Sequence, residues 1–121
     1  MRDAYDVGMR IHRELGPGLY ESVYEEIFCH EMAKLGYRVE RQIEVPIEWD
    51  GLRFDKAFRL DAIIDGLVII EFKAVAEMNK VFARQVLTYL KLTGKRLGAV
   101  MNYGMELFKA GFERVANGMP R

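Results

Sequence analysis

The strongest constraint on the fold of this chain is a change of hydrophobic period near Gly36. Before Gly36, apolar residues recur every three to four positions, which is typical of amphipathic helices. After it, apolar and polar residues alternate from Tyr37 to Trp49, as in a half-buried β-strand, and only Arg41 breaks the apolar side of the alternation. Helices followed by a sheet exclude an all-helical fold and an all-β fold.

Two helices are predicted before the change of period. The first covers Asp3 to Leu15, and Gly16-Pro17-Gly18 ends it. The second covers about Leu19 to Leu35, and Gly36 follows in the position that commonly ends a helix. Both helices have an apolar stripe that would pack against the sheet.

Strands and one further helix are predicted after the change of period. In chain order they are strands at Tyr37–Trp49, Phe58–Ile64 and Leu67–Ala74, a helix from Asn79 to Gly94, a strand at Leu97–Tyr103 and a candidate strand at Gly111–Ala116. Consecutive strands favour an antiparallel meander, and the helix allows the next strand to add in parallel. We therefore expect one α/β (α+β) domain over residues 1–121, with a mixed sheet flanked by helices.

Composition narrows the class of protein. The formal net charge is zero, which argues against tight non-specific binding of nucleic acid, although the first sixty residues carry −3 and the others +3. Cys29 is the only cysteine, so no internal disulfide can form, and we expect a buried thiol in a reducing, cytoplasmic setting. The longest aliphatic run, Leu67–Ile70, is too short to cross a membrane.

Two acidic residues interrupt strands that are otherwise apolar. Asp61 lies within one strand and Glu71 near the end of the next, and Lys73 shares the face of Glu71. Charges in apolar surroundings are costly unless they are paired or bind a cation. Two carboxylates suit Mg²⁺ or Mn²⁺, with the ammonium beside them. An ion pair between one acid and Lys73 explains the same residues without a metal, and spacing alone favours neither.

The length of the connection between these strands decides whether the acids can share a ligand. A two-residue hairpin at Asp65-Gly66 would place Asp61 and Glu71 on opposite faces. A three-residue connection, in which a type I turn precedes a left-handed residue, would pair Ile64 with Val68 and set the two acids opposite each other. A shared metal therefore predicts the three-residue connection, or an equivalent one-residue irregularity elsewhere in the strands.

Three motifs occur in an order that is similar to that of one known group of proteins. They are Asp61 with Glu71-Phe72-Lys73 after nine intervening residues, Gln85-Val86-Leu87-Thr88-Tyr89, and Gly18-Leu19-Tyr20-Glu21-Ser22-Val23-Tyr24. The first resembles the active-site pattern of the PD-(D/E)XK nuclease superfamily, and the second resembles the Gln-x-x-x-Tyr motif of its exonuclease-like branch. The third resembles the motif that names the GxxExxY protein family, as do residues 12–18 and 101–104.

The resemblance implies a restriction-endonuclease-like core and a nuclease that hydrolyses phosphodiester bonds, of DNA in particular, by metal-activated water. It implies that Asp61, Glu71 and Glu21 bind Mg²⁺ or Mn²⁺. Lys73 would position or help deprotonate the attacking water and neutralise charge in the transition state. For Glu21 a plainer alternative exists, because a carboxylate in the first turn of a helix is stabilised by about 0.3–1 kcal/mol without any metal.

The following helix would supply the remaining site residues. Gln85 and Tyr89 lie on one helical face and would orient Lys73, a metal ligand or a substrate phosphate; the alternative is ordinary packing against the sheet. A neighbouring face would follow a phosphate backbone, although most such rows are solvated helix surface. Its residues are Lys80, Arg84, Lys91 and Lys95.

Three positions depart from the family pattern. Leu60 replaces the proline of the superfamily's name, Phe82 stands where many relatives have a histidine, and Tyr103 replaces a frequent phenylalanine. None of these changes removes a metal ligand. The spacing of histidine and cysteine does not indicate a zinc site, and we expect His12 and His30 at the surface or its boundary.

A binding module that keeps the nuclease fold without catalysis is the competing class. It would bind nucleic acid or protein, and zero net charge favours it slightly, whereas the intact Asp61, Glu71 and Lys73 favour the enzyme. The chain is short enough that only a catalytic core is expected, so specificity would come from substrate structure, a homo-oligomer or a partner protein. The hypothesis from sequence is a nuclease that acts on nucleic acid and not at a membrane.

Overall fold

The two N-terminal helices form where the helical period predicts them. In the computed structural model, which describes residues 1–118, α1 spans Arg2–Leu15 and α2 spans Glu21–Lys34. Between them Gly16 and Gly18 have φ angles of 68° and 117°, a left-handed backbone that glycine adopts at little steric cost. The second helix therefore begins two residues later than predicted, at Glu21.

Five strands form one mixed sheet in the order β1-β2-β3-β4-β5. The strands are β1 (Val39–Trp49), β2 (Leu52–Ile64), β3 (Val68–Lys73), β4 (Leu97–Asn102) and β5 (Phe112–Ala116). Only β3 and β4 are parallel, and α3 (Lys80–Thr93) makes the crossover between them. This arrangement confirms the predicted α/β (α+β) fold with an antiparallel meander and a strand added after a helix.

Two elements differ from the prediction. Strand β2 begins at Leu52 rather than Phe58, and a four-residue helix, α4 (Phe108–Gly111), precedes β5. Because β2 pairs with β3 only over residues 62–64, residues 43–60 of β1 and β2 form a two-stranded arm beyond the rest of the sheet. Within residues 1–118, no helix is long and apolar enough to cross a membrane.

Two apolar clusters lie on opposite faces of the sheet. Helices α1 and α2 cover the first cluster, which includes Ile70 and Phe72 of β3. Helix α3 covers the second cluster, in which Val86 and Leu90 pack with Ile69. Strand β3 is thus buried on both faces, as expected of a strand in a sheet with helices on both sides.

At one position along β1 and β2, the side of the strands that packs under α2 changes to the side that packs under α3. Val39 packs in the cluster under α2, whereas Ile43 packs in the cluster under α3. Gln42, between them, has a φ of 52° and leaves the ladder, which continues in the same register on either side. The exchange explains why Arg41 interrupts the apolar alternation of the strand. It also falls opposite Asp61 of β2.

Candidate functional site

Asp61 and Glu71 face each other where β2 and β3 separate. The register pairs Ile64 with Val68, so Asp61 falls opposite Glu71. The Asp61 N–H donates to Glu71 Oε1 over 3.0 Å, and the Phe72 N–H donates to Asp61 Oδ2 over 2.9 Å. At this point the two carboxylates, and not backbone carbonyls, accept hydrogen bonds from the backbone N–H groups of the facing strands. These hydrogen bonds hold both acids in place.

The three-residue connection is present, but its turn differs from the prediction. The Leu67 N–H donates to the Ile64 carbonyl over 2.9 Å, and the two residues between them, Asp65 and Gly66, have φ angles of 53° and 66°. These angles fit a type I′ turn rather than a type I turn followed by a left-handed residue. Leu67 is the extra residue that shifts the register. The predicted register is confirmed, and the predicted turn type is wrong.

The electrostatics of this pair are unusual for carboxylates. Glu71 is only 5% exposed. Its burial, and then the charge of Asp61, raise the pKa of Glu71 above its usual value, while the Asp61 N–H and the Lys73 ammonium act in the opposite direction. Ionisation of Glu71 is therefore costly in the folded protein, and a cation bound beside it would stabilise the ionised carboxylate.

A polar cleft surrounds these residues at the splayed end of the sheet. Its lining consists of Glu21, Glu44, Phe58, Arg59, Asp61, Glu71, Lys73, Gln85 and Tyr89. The structure thus brings together all six residues for which the sequence suggested catalysis or metal binding. Among the described residues, four carboxylates and two cationic side chains line the cleft, and this excess of negative charge attracts cations.

Lys73 ends β3 on the same face as Glu71. Its ammonium lies 5.0 Å from the centroid of the Phe82 ring, within the range of a cation–π contact. Its carbonyl accepts a hydrogen bond from the Tyr103 N–H over 2.8 Å. Phe82 therefore provides a surface against which the lysine side chain rests.

The Gly-x-x-Glu-x-x-Tyr motif places Glu21 at the wall of the cleft. Tyr24 is fully buried; its hydroxyl donates to the Gly16 carbonyl over 2.6 Å and accepts from the Leu19 N–H over 3.1 Å. Its ring stacks on Tyr103 with 4.4 Å between the centroids. The turn before α2 is therefore tied to the core, and the first residue of α2 is Glu21.

Glu21 lies near the other acids without joining them in a cluster. Burial, and then the charge of Asp61, raise the pKa of Glu21, while Lys73 lowers it. Among the described residues 1–118, no group of three or more His, Cys, Asp or Glu side chains is arranged to hold a metal ion. The structure thus supplies two converging carboxylates, Asp61 and Glu71, with Glu21 beside them.

We expect Tyr24→Phe to destabilise the protein by about 1–2 kcal/mol, because a buried hydroxyl with two hydrogen-bond partners is lost. Urea denaturation measures the change, and Tyr20→Phe is the matched control, since Tyr20 is 84% exposed. Equal stability of the two variants would show that the hydroxyl does not hold the turn.

Gln85 and Tyr89 lie on the side of α3 that faces the cleft. The Tyr89 ring stacks on Phe58 of the arm, with 4.5 Å between the centroids and 6° between the planes. Burial, and then the charges of Glu71 and Asp61, raise the pKa of Tyr89, while a hydrogen bond with Gln85 lowers it. Tyr89 therefore packs against Phe58 and also lines the cleft.

The predicted row of basic residues is not one continuous surface. Its exposed members on α3 are Lys80, Arg84 and Lys91. The shared face does not extend to Lys95, because Gly94 ends α3 with a φ of 70° and redirects the chain. The Lys95 ammonium instead donates to the Gly66 carbonyl over 2.6 Å, at the end of β3 opposite to the cleft.

Two buried polar residues differ from what the sequence indicated: the predicted location of His12 was wrong, and Asn102 was not identified. His12 is buried rather than at the surface, and its Nε2 lies 2.7 Å from the Met105 carbonyl oxygen. Asn102 is fully buried, and its Oδ1 accepts from the N–H groups of Val75 and Gly104, each over 3.0 Å. Asn102 thereby fixes the segment that follows Lys73. His12 lies in residues 12–18 and Asn102 in residues 101–104, and the resemblance of these segments to a known family was the signal available in the sequence.

Three residues of the cleft were not identified from the sequence, namely Glu44, Phe58 and Arg59. Glu44 and Arg59 are cross-strand partners in the arm, and in the sequence they belong to ordinary polar alternation. For Phe58 and Arg59, proximity to Asp61 in β2 was the only signal, and Glu44 had none. Long-range placement of β1 beside α2 could not be derived from local spacing.

A mixed sheet of this order, with two acids and a lysine at a splayed strand pair, defines a restriction-endonuclease-like class of protein. The model of the PD-(D/E)XK nuclease superfamily matches residues 1–115, and the chain belongs to that superfamily. Neither the search of curated proteins nor that of solved structures found a match.

Proposed function

We propose that this chain is a metal-dependent nuclease that hydrolyses phosphodiester bonds of DNA. The observation that carries the proposal is the facing pair Asp61 and Glu71, with Lys73 in the same cleft, in a member of a nuclease superfamily. We also propose that residues 1–121 are a single domain of the GxxExxY family. Two residues of that motif support this proposal: Glu21 lines the cleft, and Tyr24 ties the turn before α2 to the core.

The residues of the cleft fit a divalent cation. Their oxygen donors are hard ligands of the kind that Mg²⁺ and Mn²⁺ prefer. Asp61 and Glu71 would hold the cation, and Glu21 is the candidate for a further ligand. When bound, the cation would supply Lewis acidity and would offset the negative charge of the cleft and of the phosphate.

The side chains of the chain itself provide orientation and charge. The Lys73 ammonium would stabilise negative charge that develops on the phosphate oxygens, and contact with Phe82 restricts its position. The Gln85 amide and the Tyr89 hydroxyl line the same cleft and would hydrogen bond with Lys73 or with a phosphate oxygen. A cleft with more carboxylates than cationic groups would repel a polyanion without a metal, which disfavours the metal-free binding module.

A cleavage assay tests this function. Single-stranded, duplex and branched DNA, and the corresponding RNA, are incubated with the protein in Mg²⁺, Mn²⁺ or EDTA. We expect cleavage of DNA with either metal and none in EDTA. A folded protein that cleaves none of these substrates in Mn²⁺ would contradict the proposal and would favour a non-catalytic module. Different rates on these substrates would show that specificity depends on substrate structure, whereas equal rates would favour a homo-oligomer or a partner protein as its source.

A further inference from the structure

Arg59 lines the cleft and has no structural partner among the described residues. Its side chain is exposed, and it forms no ion pair or hydrogen bond with any of the described residues 1–118. Glu44, its cross-strand partner, lines the same cleft but does not form an ion pair with it. Among the described residues 1–118, Arg59 and Lys73 are the only two cationic side chains that line the cleft.

Two other arginines of β1 and β2 form ion pairs within the described part of the chain. On the same strand, Arg53 pairs with Glu48 over 3.2 Å and with Asp55 over 2.7 Å. On the neighbouring strand, Arg41 pairs with the buried Glu25 over 2.9 Å. These arginines have structural partners, whereas the Arg59 guanidinium is available to a ligand. A guanidinium is suited to bidentate contact with a phosphate group.

The position of Arg59 along β2 indicates which phosphate it would contact. It precedes Asp61 by two residues, and positions two residues apart on a strand are separated by about 7 Å. The reacting phosphate belongs beside Asp61, Glu71 and Lys73, so Arg59 lies one step away along the arm.

We infer that Arg59 anchors the substrate in the cleft. It binds the phosphate group that is next to the reacting phosphate on the same nucleic-acid strand. This inference rests on the proposed nuclease function. A contact to a non-reacting phosphate contributes to substrate binding more than to the chemical step, so its loss raises KM and leaves kcat nearly unchanged. It is also independent of base sequence.

Binding to a fluorescein-labelled 20-nucleotide single-stranded DNA, measured by anisotropy, tests the inference. Lys73→Ala serves as the parent protein, with Mg²⁺ present, so that cleavage does not interfere. Adding Arg59→Gln should weaken binding about tenfold. It should also reduce the slope of log affinity against log salt by about 0.7. Arg59→Lys should recover part of the affinity, because the charge remains without the bidentate contact.

A neutral backbone linkage locates the contact. The oligonucleotide is first shortened to the minimum length that the parent binds with full affinity, because a contact that is independent of base sequence does not fix the register of a longer strand. A methylphosphonate is then introduced at one linkage at a time, and at one position it should weaken binding by the parent about tenfold. At that position it should cost the Arg59→Gln protein almost nothing, because both changes remove the same interaction. Arg53→Gln, at an arginine of the same strand that is already paired, is the matched control and should bind like the parent.

The outcomes separate the two proposals. If the parent binds the oligonucleotide but Arg59→Gln binds equally well, the role of Arg59 is refuted and the nuclease function is unaffected. If Arg53→Gln weakens binding as much as Arg59→Gln, the effect is general charge and the specific contact is refuted. If the parent binds no DNA in Mg²⁺ and the wild type cleaves none, both proposals are wrong.

Discussion

Cleavage in Mg²⁺ should fall at least about a hundredfold when Asp61 is replaced by Asn, Glu71 by Gln or Lys73 by Ala. The first two changes remove a negative charge that would hold the cation, and the third removes the ammonium beside it. The shapes of the side chains at positions 61 and 71 are retained, and both can still accept their backbone hydrogen bonds. Single-turnover cleavage of the best DNA substrate, with each protein in excess, measures the change.

Two observations complete this test. Glu113→Gln removes an exposed carboxylate on β5, outside the cleft, and should cleave at the wild-type rate. Circular dichroism should show that all four variants are folded. Full activity of either the Asp61 or the Glu71 variant would mean that the facing carboxylates are not part of the reaction centre.

The metal-free protein should become more stable when Glu71 is replaced by Gln, by about 1–3 kcal/mol at pH 8. Burial raises the pKa of Glu71 in the folded protein above its value in the unfolded chain. Between those two pKa values only the folded protein holds the proton on Glu71. The contribution of Glu71 to the free energy of unfolding is therefore fully present below its pKa in the unfolded chain, and it is lost as the pH rises through its pKa in the folded protein. The advantage of Glu71→Gln should therefore grow from pH 5 to pH 8.

Urea denaturation in EDTA at several pH values measures this difference, with Glu113→Gln as the control for an exposed acid. Mg²⁺ at a hundred times its dissociation constant should stabilise the wild type by about 2.7 kcal/mol and should stabilise Glu71→Gln much less. A wild type that is more stable than Glu71→Gln in EDTA at pH 8 would contradict the view that the ionised pair is costly without a cation.

Most of the fold followed from periodicity, and the exceptions have physical reasons. The outer half of β2, residues 52–57, lies in the arm, where no helix of the described chain covers it, so its sequence lacks the clean alternation of a half-buried strand. Helix α4 has four residues, too few for a helical period. The exchange of faces at Gln42 depends on one residue with positive φ and on Glu25, which accepts hydrogen bonds from its side-chain amide.

The site could be predicted only in part. Asp61, Glu71 and Lys73 were visible because charges interrupt apolar strands, and the register followed from the need for the two acids to meet. The turn itself could not be derived, because Asp-Gly is compatible with more than one conformation. Arg59 was not visible, because an arginine on the polar side of an exposed strand is ordinary, and only the assembled cleft makes it unusual.

Leu67 has a consequence for the history of such a chain. Surface turns are usually the places where related proteins gain or lose residues without penalty. Here a turn without Leu67 would still pair Ile64 with Val68, so Asp61 would stay opposite Glu71. The loss of one residue from 62–64 or from 68–70 would instead carry one acid to the other side of its strand. Among functioning descendants, Leu67 can therefore be lost, whereas insertions and deletions in these short strand segments should be as rare as substitutions of the acids themselves.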